Sequence, residues 1–391
     1  MRSVNGTSYA GEQDAEPIGP IRALKLSLAR RVPSLLRLQL RLRDRPRNRR
    51  WVRGTRRFLI VREASRIPEF YDVILDWIEA HVPEIRRHFE LRVLPCRIAD
   101  WSLYALHVPW LQDPVESWSP QAYDRACQLA RECDRRGIPV VNRVERLRNA
   151  MKLEAASRLS RAGVPTPAMR LIDDHGEFRA NRYGLKLPLF VREDAGHGGL
   201  MLRADTDAEL RALPLENFQR PVAVELIDVR SPEDGLCRKF RYVVAGRVGV
   251  PHHMQATEGW ITRGTIRAHT PATRAQEEAY IGSPDPRHEL FQRARQALEF
   301  DLVAFDYGFD QRGRFVVWEA NPYPHFHIPS QKLAYLAPAM DRTLAAVVHL
   351  YLERAGMEIP QRLQDILFAS DAVTCDPTED SHGDPRASAN A

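Results

Sequence analysis

Asp306, Glu319 and Asn321 are hard oxygen donors at the ends of two apolar runs, and their types and spacing suit divalent-cation chemistry. The stretch Leu302 to Pro324, LVAFDYGFDQRGRFVVWEANPYP, reads as two β-branched and aromatic strands joined by the polar turn DQRG. Glu319 and Asn321 stand two apart on one strand and so point to the same face; closure of the hairpin brings Asp306 alongside them. Two carboxylates and an amide fit Mg²⁺, which takes oxygen ligands and shares the rest of its shell with phosphates. The plainer alternative is a buried hairpin whose strands merely end in acids.

Other candidates lie upstream. CRKFRYVVAGRVGV reads as two strands around Ala245-Gly246, with Lys239 and Arg241 on one face of the first. KLPLFVREDAGHGGLMLRADT reads as a glycine-rich hairpin: Gly196, Gly198 and Gly199 would let backbone N–H groups approach an anion, and Arg192 adds a charge. It is not a P-loop, because it leads from strand to strand and lacks GK[ST]. Lysine occurs only at positions 25, 152, 186, 239 and 332 against about ten times as many arginines, which singles out Lys152 as a compact charge. His325 and His327 have HxH spacing but no cysteine partner, an unpromising zinc set. No GxSxG, HExxH or Ser-His-Asp order commends a hydrolase.

The elements that must hold these groups follow from periodicity. Between Arg57 and Asn142, RRFLIV, LRVLPC, YALHVPWL and IPVVN read as strands, with helices at EFYDVILDWIEAHV and PQAYDRACQLARECDRRG, an α/β layer with a mainly parallel sheet. No GxGxxG follows the first strand, so a dinucleotide site is not expected. Trp110, Asp113 and Glu116 lie beyond the third strand, where open sheets bind ligands. A helix from about Arg148 stops at Gly163, and RPVAVELIDV is a buried strand running into Glu225, Leu226, Ile227 and Asp228. Five cysteines without a CxxC pair indicate neither a disulfide framework nor a zinc site. With no apolar run near the ~20 residues of a spanning helix, and no signal peptide, the expected location is cytoplasmic, peripheral to a membrane if the basic arm binds one.

The net charge of +6 is unevenly distributed. Between Ile21 and Arg57 stand 14 Lys and Arg against the single acid Asp44, a local +13, so the rest of the chain carries −7 (6 − 13). Leu24, Leu28, Val32, Leu35 and Leu42 recur there at helical spacing. Such an amphipathic arm suits an anionic membrane, RNA or an acidic partner, or folds onto its own acidic body.

Taken in order, these pieces resemble the ATP-grasp superfamily, in particular carboxylate–amine ligases of the glutathione synthetase and ribosomal-protein glutamate ligase type. The resemblance rests on Lys152 before a helix ending in GVPTP, LFVREDAGHGG, VAVELI, KFRYVVAGRV and DYGFDQRGRFVVWEANPYP, over roughly residues 140–330. It implies an α/β (α+β) ATP-grasp fold with a small N-terminal parallel-sheet domain. The expected division is 1–20 and 369–391 disordered, 21–56 basic arm, 57–145 N-terminal domain, 146–222 lid and 223–368 catalytic subdomain. It further implies that Lys152 and Arg192 contact ATP phosphates, that His197, Gly198 and Gly199 cover them, that Glu225, Leu226 and Ile227 hold adenine and ribose, and that Asp306, Glu319 and Asn321 hold Mg²⁺, expected as two ions, with Mn²⁺ as a substitute. Lys239 and Arg241 are the expected catalytic cations. The implied reaction joins a small-molecule or peptide carboxylate to an amine through an acylphosphate, releasing ADP and phosphate. A kinase acting on a small acceptor, or a degenerate MgATP-binding adaptor recruited by the basic arm, are the alternatives. Two departures stand out: Arg192 replaces the usual lysine, and Lys239 stands where the family carries an acid two residues before the arginine.

Overall fold

The first strand of the chain, β1 (Arg57–Arg62), is buried at every position, as expected of a central parallel strand covered on both faces. It lies between β2 (Phe89–Val93) and β3 (Tyr104–Trp110), both parallel to it. This computed structural model describes residues 33–48, 54–64, 71–112, 114–195, 200–261 and 267–377. The expected disorder of residues 1–20, most of that of 369–391, the arm residues 21–32 and 49–53, Asp113, and the flap residues Gly196, His197, Gly198 and Gly199 lie outside them.

The described part of the arm is a helix, α1 (Pro33–Asn48), clasped to this layer along one face. Leu40 is buried, and the buried Asp44 pairs with Arg62, which also reaches Asp72 at 2.6 Å. The Asn48 amide donates to the Leu91 carbonyl and accepts from the Leu91 N–H, both at 2.8 Å, so it satisfies the open edge of β2 as a neighbouring strand would. IPVVN, expected as a further strand, contributes only the bridge Val140 to His107. Asn142 ends it by turning to φ +49°, where its side chain is taken up by other partners.

Two antiparallel sheets follow. Strands β4 (Met169–Leu171), β5 (Leu189–Glu193), β6 (Met201–Ala204) and β7 (Pro221–Glu225) form one in the order β4-β7-β5-β6. Its apolar core, with Phe178, Leu189, Val191 and Leu210, is separate from the main one. Strands β8 (Cys237–Ala245), β9 (Val248–Thr257), β10 (Leu302–Phe309), β11 (Phe315–Asn321) and β12 (Thr374–Cys375) form the other, ordered β11-β10-β8-β9-β12.

A long helix, α2 (Ala337–Arg354), is wedged between the five-stranded sheet and the N-terminal layer. That position explains why Arg342 to Leu352 is buried all round instead of along one stripe. Trp110 Nε1 donates to Tyr351 Oη at 3.0 Å and Trp77 Nε1 to Asp341 at 2.9 Å, so the N-terminal layer is joined to the helix by polar contacts as well. One apolar core therefore runs through the N-terminal layer, α2 and the five-stranded sheet.

Candidate active site

The hairpin β10–β11 closes in the register that sets Asp306 opposite Glu319, and the neighbouring strand β8 sets Arg241 opposite Asp306. Strand β9 sets His253 opposite Arg241, so Glu319, Asp306, Arg241 and His253 form one row across four strands. Residues paired in this way share a face of the sheet. The other face is held by an aromatic cluster, with Tyr307 against Phe240 at 5.3 Å and against Phe291 at 5.1 Å. The alternation of β10 thus puts its rings in the core and Asp306 in the site.

Two β-bulges enrich this row. The register skips Trp318 between Val317 and Glu319, and skips His252 between Pro251 and His253. In each case both adjacent residues, Trp318 with Glu319 and His252 with His253, line the same cavity. A regular strand would have sent one of each pair to the opposite face.

That cavity, of about 880 Å³, lies between the two antiparallel sheets. Phe190 and Arg192, two apart on β5, face it from the four-stranded sheet; Glu225, Leu226 and Ile227 line it where the chain crosses between sheets. Lys239, Arg241, Asp306, Glu319 and Asn321 line it from the five-stranded sheet, and His325 and His327 from the segment after β11. Gln112, beyond the third strand of the N-terminal layer, hydrogen-bonds to His325, so that layer also supports the cavity wall.

Buried and half-buried cations compensate both carboxylates. Asp306, 1% exposed, accepts Arg241 Nε at 2.6 Å on one oxygen, and Arg241 Nη2 at 3.0 Å and Lys239 Nζ at 2.9 Å on the other. Burial by itself would raise the Asp306 pKa, but Arg241 and Lys239 hold it well below the ordinary carboxylate range. Glu319 accepts Lys152 Nζ at 2.9 Å. Burial acts to raise its pKa and Lys152 reverses this, with Arg192 adding to the depression and Asp306 opposing it. Both acids are therefore ionised. His252 is pushed to about 3 by burial and then by Arg241, and His253 well below its ordinary value for the same reasons, so both imidazoles are neutral.

Lys152 is buried behind Glu319 and reaches the cavity through it. It opens the helix α3 (Lys152–Arg161), whose Leu153 N–H donates to Asp194 Oδ1 at 3.0 Å. Asp194 is buried, accepts Arg220 Nε at 2.9 Å on its other oxygen, and directly precedes the flap segment, so it joins the start of α3 to the four-stranded sheet.

The oxygen set fits a hard divalent cation. Asn321 Oδ1 is buried without a hydrogen-bond partner among the described residues, an orphan acceptor on the strand that carries Glu319. An ion bound to Asp306 would take over the counter-charge that Lys239 and Arg241 now supply. Among the described residues no three His, Cys, Asp or Glu side chains gather as a metal set, so the His325 and His327 pair has no third ligand there.

Sequence reading did not single out His252 and His253 as cavity residues, nor Trp318, Gln255, Gln112 or Asp194. The bulges depend on the pairing of partner strands, and only the doubled polar or aromatic residues HH and WE hint at them. For Asp194 the sign that the sequence offers is its place immediately before the glycine-rich turn.

No protein-family profile and no curated protein matches the sequence. Solved structures do match in shape. D-alanine–D-alanine ligase from Bacillus anthracis, solved complexed with ATP, superposes with a TM-score of 0.51 at 13% identity, over 77% of this chain and 97% of that one. The RimK domain protein ATP-grasp from Sphaerobacter thermophilus gives 0.48 at 17% identity, over 76% and 99%. VanG D-Ala:D-Ser ligase from Enterococcus faecalis gives 0.49 at 13% identity, over 76% and 100%.

Proposed function

We propose that this chain, which has the ATP-grasp fold, is an ATP-dependent ligase that joins a carboxylate to an amine. The observation that carries the reading is the row Glu319, Asp306 and Arg241 facing Arg192 across one cavity, with an orphan Asn321 oxygen beside it. Phosphoryl transfer to a carboxylate needs alignment and charge neutralisation more than a protein nucleophile. Four cations around two carboxylates supply a net positive pocket suited to polyphosphate and substrate anions.

In this reading Arg192 and Lys152 hold the phosphates, His197, Gly198 and Gly199 cover them, and Glu225, Leu226 and Ile227 hold adenine and ribose. Asp306, Glu319 and Asn321 would hold Mg²⁺, which would neutralise charge on the phosphates. With such counter-charge on Asp306, Arg241 and Lys239 would be available to grip the substrate carboxylate, Arg241 in a bidentate fork. A carboxylate oxygen attacks the γ-phosphorus and ADP leaves, giving an acylphosphate. The amine then attacks the acyl carbon, phosphate departs, and the nitrogen loses a proton. That proton goes to solvent, because the burial and the Arg241 charge that keep His253 neutral also make its imidazole a poor acceptor.

The test uses pooled carboxylates and amines with MgATP and follows nucleotide products and amide together. ADP and phosphate should appear in step with amide, and Glu319→Gln, which keeps side-chain size but removes one charge, should cut turnover about a hundredfold or more while the protein stays folded. MgATP should also raise the melting temperature of the unaltered chain, since it binds only the native state. AMP as product, or turnover indifferent to Glu319→Gln, would falsify the ligase reading; ADP with a stable phosphorylated acceptor would make it a kinase.

A further inference from the structure

We infer that α1 is a docking helix for an anionic lipid bilayer, a property independent of the reaction proposed above. The described residues expose six large hydrophobic side chains, and three of them, Leu35 (49%), Leu38 (52%) and Leu42 (58%), lie on this one helix. Their spacing of three and four puts them on one stripe, about 10 Å long at the helical rise. The opposite face carries the buried Leu40 and Asp44 and is already committed to the body. The leucines are therefore not the helix's core-facing side.

The chemistry around the stripe is cationic. Arg41 and Arg45, one turn apart and both exposed, flank it; Arg41 also donates to the Pro95 carbonyl at 3.3 Å. Arg43 pairs with Asp72 and Arg47 with Asp76, which fixes the helix to the body on its other sides. The only acid of the segment between Ile21 and Arg57, Asp44, is 2% exposed, so the segment itself places no exposed carboxylate beside Arg41 and Arg45.

A bilayer of anionic lipid accepts both features together, with headgroups meeting the arginines and the acyl boundary taking the leucines. A second copy docked helix to helix would set Arg41 and Arg45 against their own counterparts and is opposed by charge. The exposed side of α1 spans roughly half of the helix circumference, from Arg41 round to Arg43, with the three leucines at its centre, a layout that can lie along a flat surface. RNA would use the arginines but has no use for a leucine stripe. Among the described residues no helix is long and apolar enough to cross a membrane, so α1 would lie along the surface.

The experiment is co-sedimentation of the full chain with vesicles of phosphatidylcholine, with and without phosphatidylserine, at low and high salt. The phosphatidylserine vesicles should be preferred, less so at high salt, and Leu35→Ser/Leu38→Ser/Leu42→Ser should weaken binding about tenfold or more with an unchanged melting temperature. Because those leucines are exposed, their loss leaves the fold intact. Failure of the unaltered chain to bind anionic vesicles at low salt overturns the inference. So does equal binding by the leucine variant, or a preference for single-stranded RNA over vesicles that the leucine changes leave untouched, which would make the arm a nucleic-acid grip.

Discussion

Asp306 is a buried carboxylate held by two cations, and this arrangement determines what removal of either partner does. Arg241→Ala leaves Asp306 with Lys239 alone, and breaking a buried pair by deleting one member typically costs about 3–5 kcal/mol. The retained lysine should keep the loss near the lower end, readable as a shifted urea midpoint. In the ligase reading the same variant should damage acceptor-dependent turnover more than MgATP binding. A second residue-scale prediction concerns pH. His107 and His252 are buried and their folded pKa values are lowered by burial to about 4 and about 3. Since the unfolded imidazole titrates near 6.5, the unfolded chain binds more protons over that window, and stability falls as pH drops from about 6.5 towards those values. By about pH 4.5 each histidine should have cost on the order of 2 kcal/mol. Urea unfolding across that range should show the decline, and His252→Gln, which cannot titrate there, should flatten it.

At the scale of elements, the bulge in β11 depends on a close approach. A Cβ built on Gly308 would lie 2.4 Å from the Trp318 ring and 2.9 Å from the Arg238 carbonyl oxygen, so neither neighbour could stay in place. Gly308→Ala should therefore cost about 1–3 kcal/mol as overpacking, in a strand where alanine is otherwise tolerated. It should also displace Trp318 from the cavity wall, and nucleotide affinity should drop with stability in calorimetric titration. Unchanged stability would mean that the bulge has more room than its contacts suggest. The clasp of α1 belongs to this scale too, because Asn48 and Asp44 tie the helix to β2 and Arg62 through contacts that none of its leucines supplies.

For the molecule as a whole, Asn142 joins the N-terminal layer to the site hairpin. It is fully buried; its side-chain oxygen accepts the N–H groups of Asp301 and Leu302 at 2.8 and 3.0 Å, and its amide nitrogen donates to the carbonyls of Leu302 and Pro322 at 2.7 and 2.5 Å. It also holds φ +49°, a conformation asparagine tolerates better than most residues. Asn142→Ala strands four backbone groups at the start of β10 and the end of β11, and each unsatisfied buried group costs about 1–3 kcal/mol. A loss of at least about 3 kcal/mol is expected, with the start of β10 losing amide-exchange protection first. Retention of full stability would require the strand ends to find other partners.

The hairpin and its oxygen-bearing side chains were legible because their signals are local: β-branched runs, a polar turn, and period-two alternation that puts Glu319 and Asn321 on one face. The resemblance in motif order led to the same fold that shape comparison finds. Composition likewise located the basic arm, since charge is a property of residues and not of their neighbours. What only the tertiary structure decided are relations across long sequence separations. Lys152 meets Glu319, Asn142 meets Leu302, and α1 meets β2 because packing brings distant backbone and charge together. The bulges that turn Trp318 and His252 into the cavity arise from strand pairing, which no window along the chain contains. Which leucines of α1 are buried and which are exposed was equally undecidable from spacing, because helical periodicity defines a face but not what that face will meet.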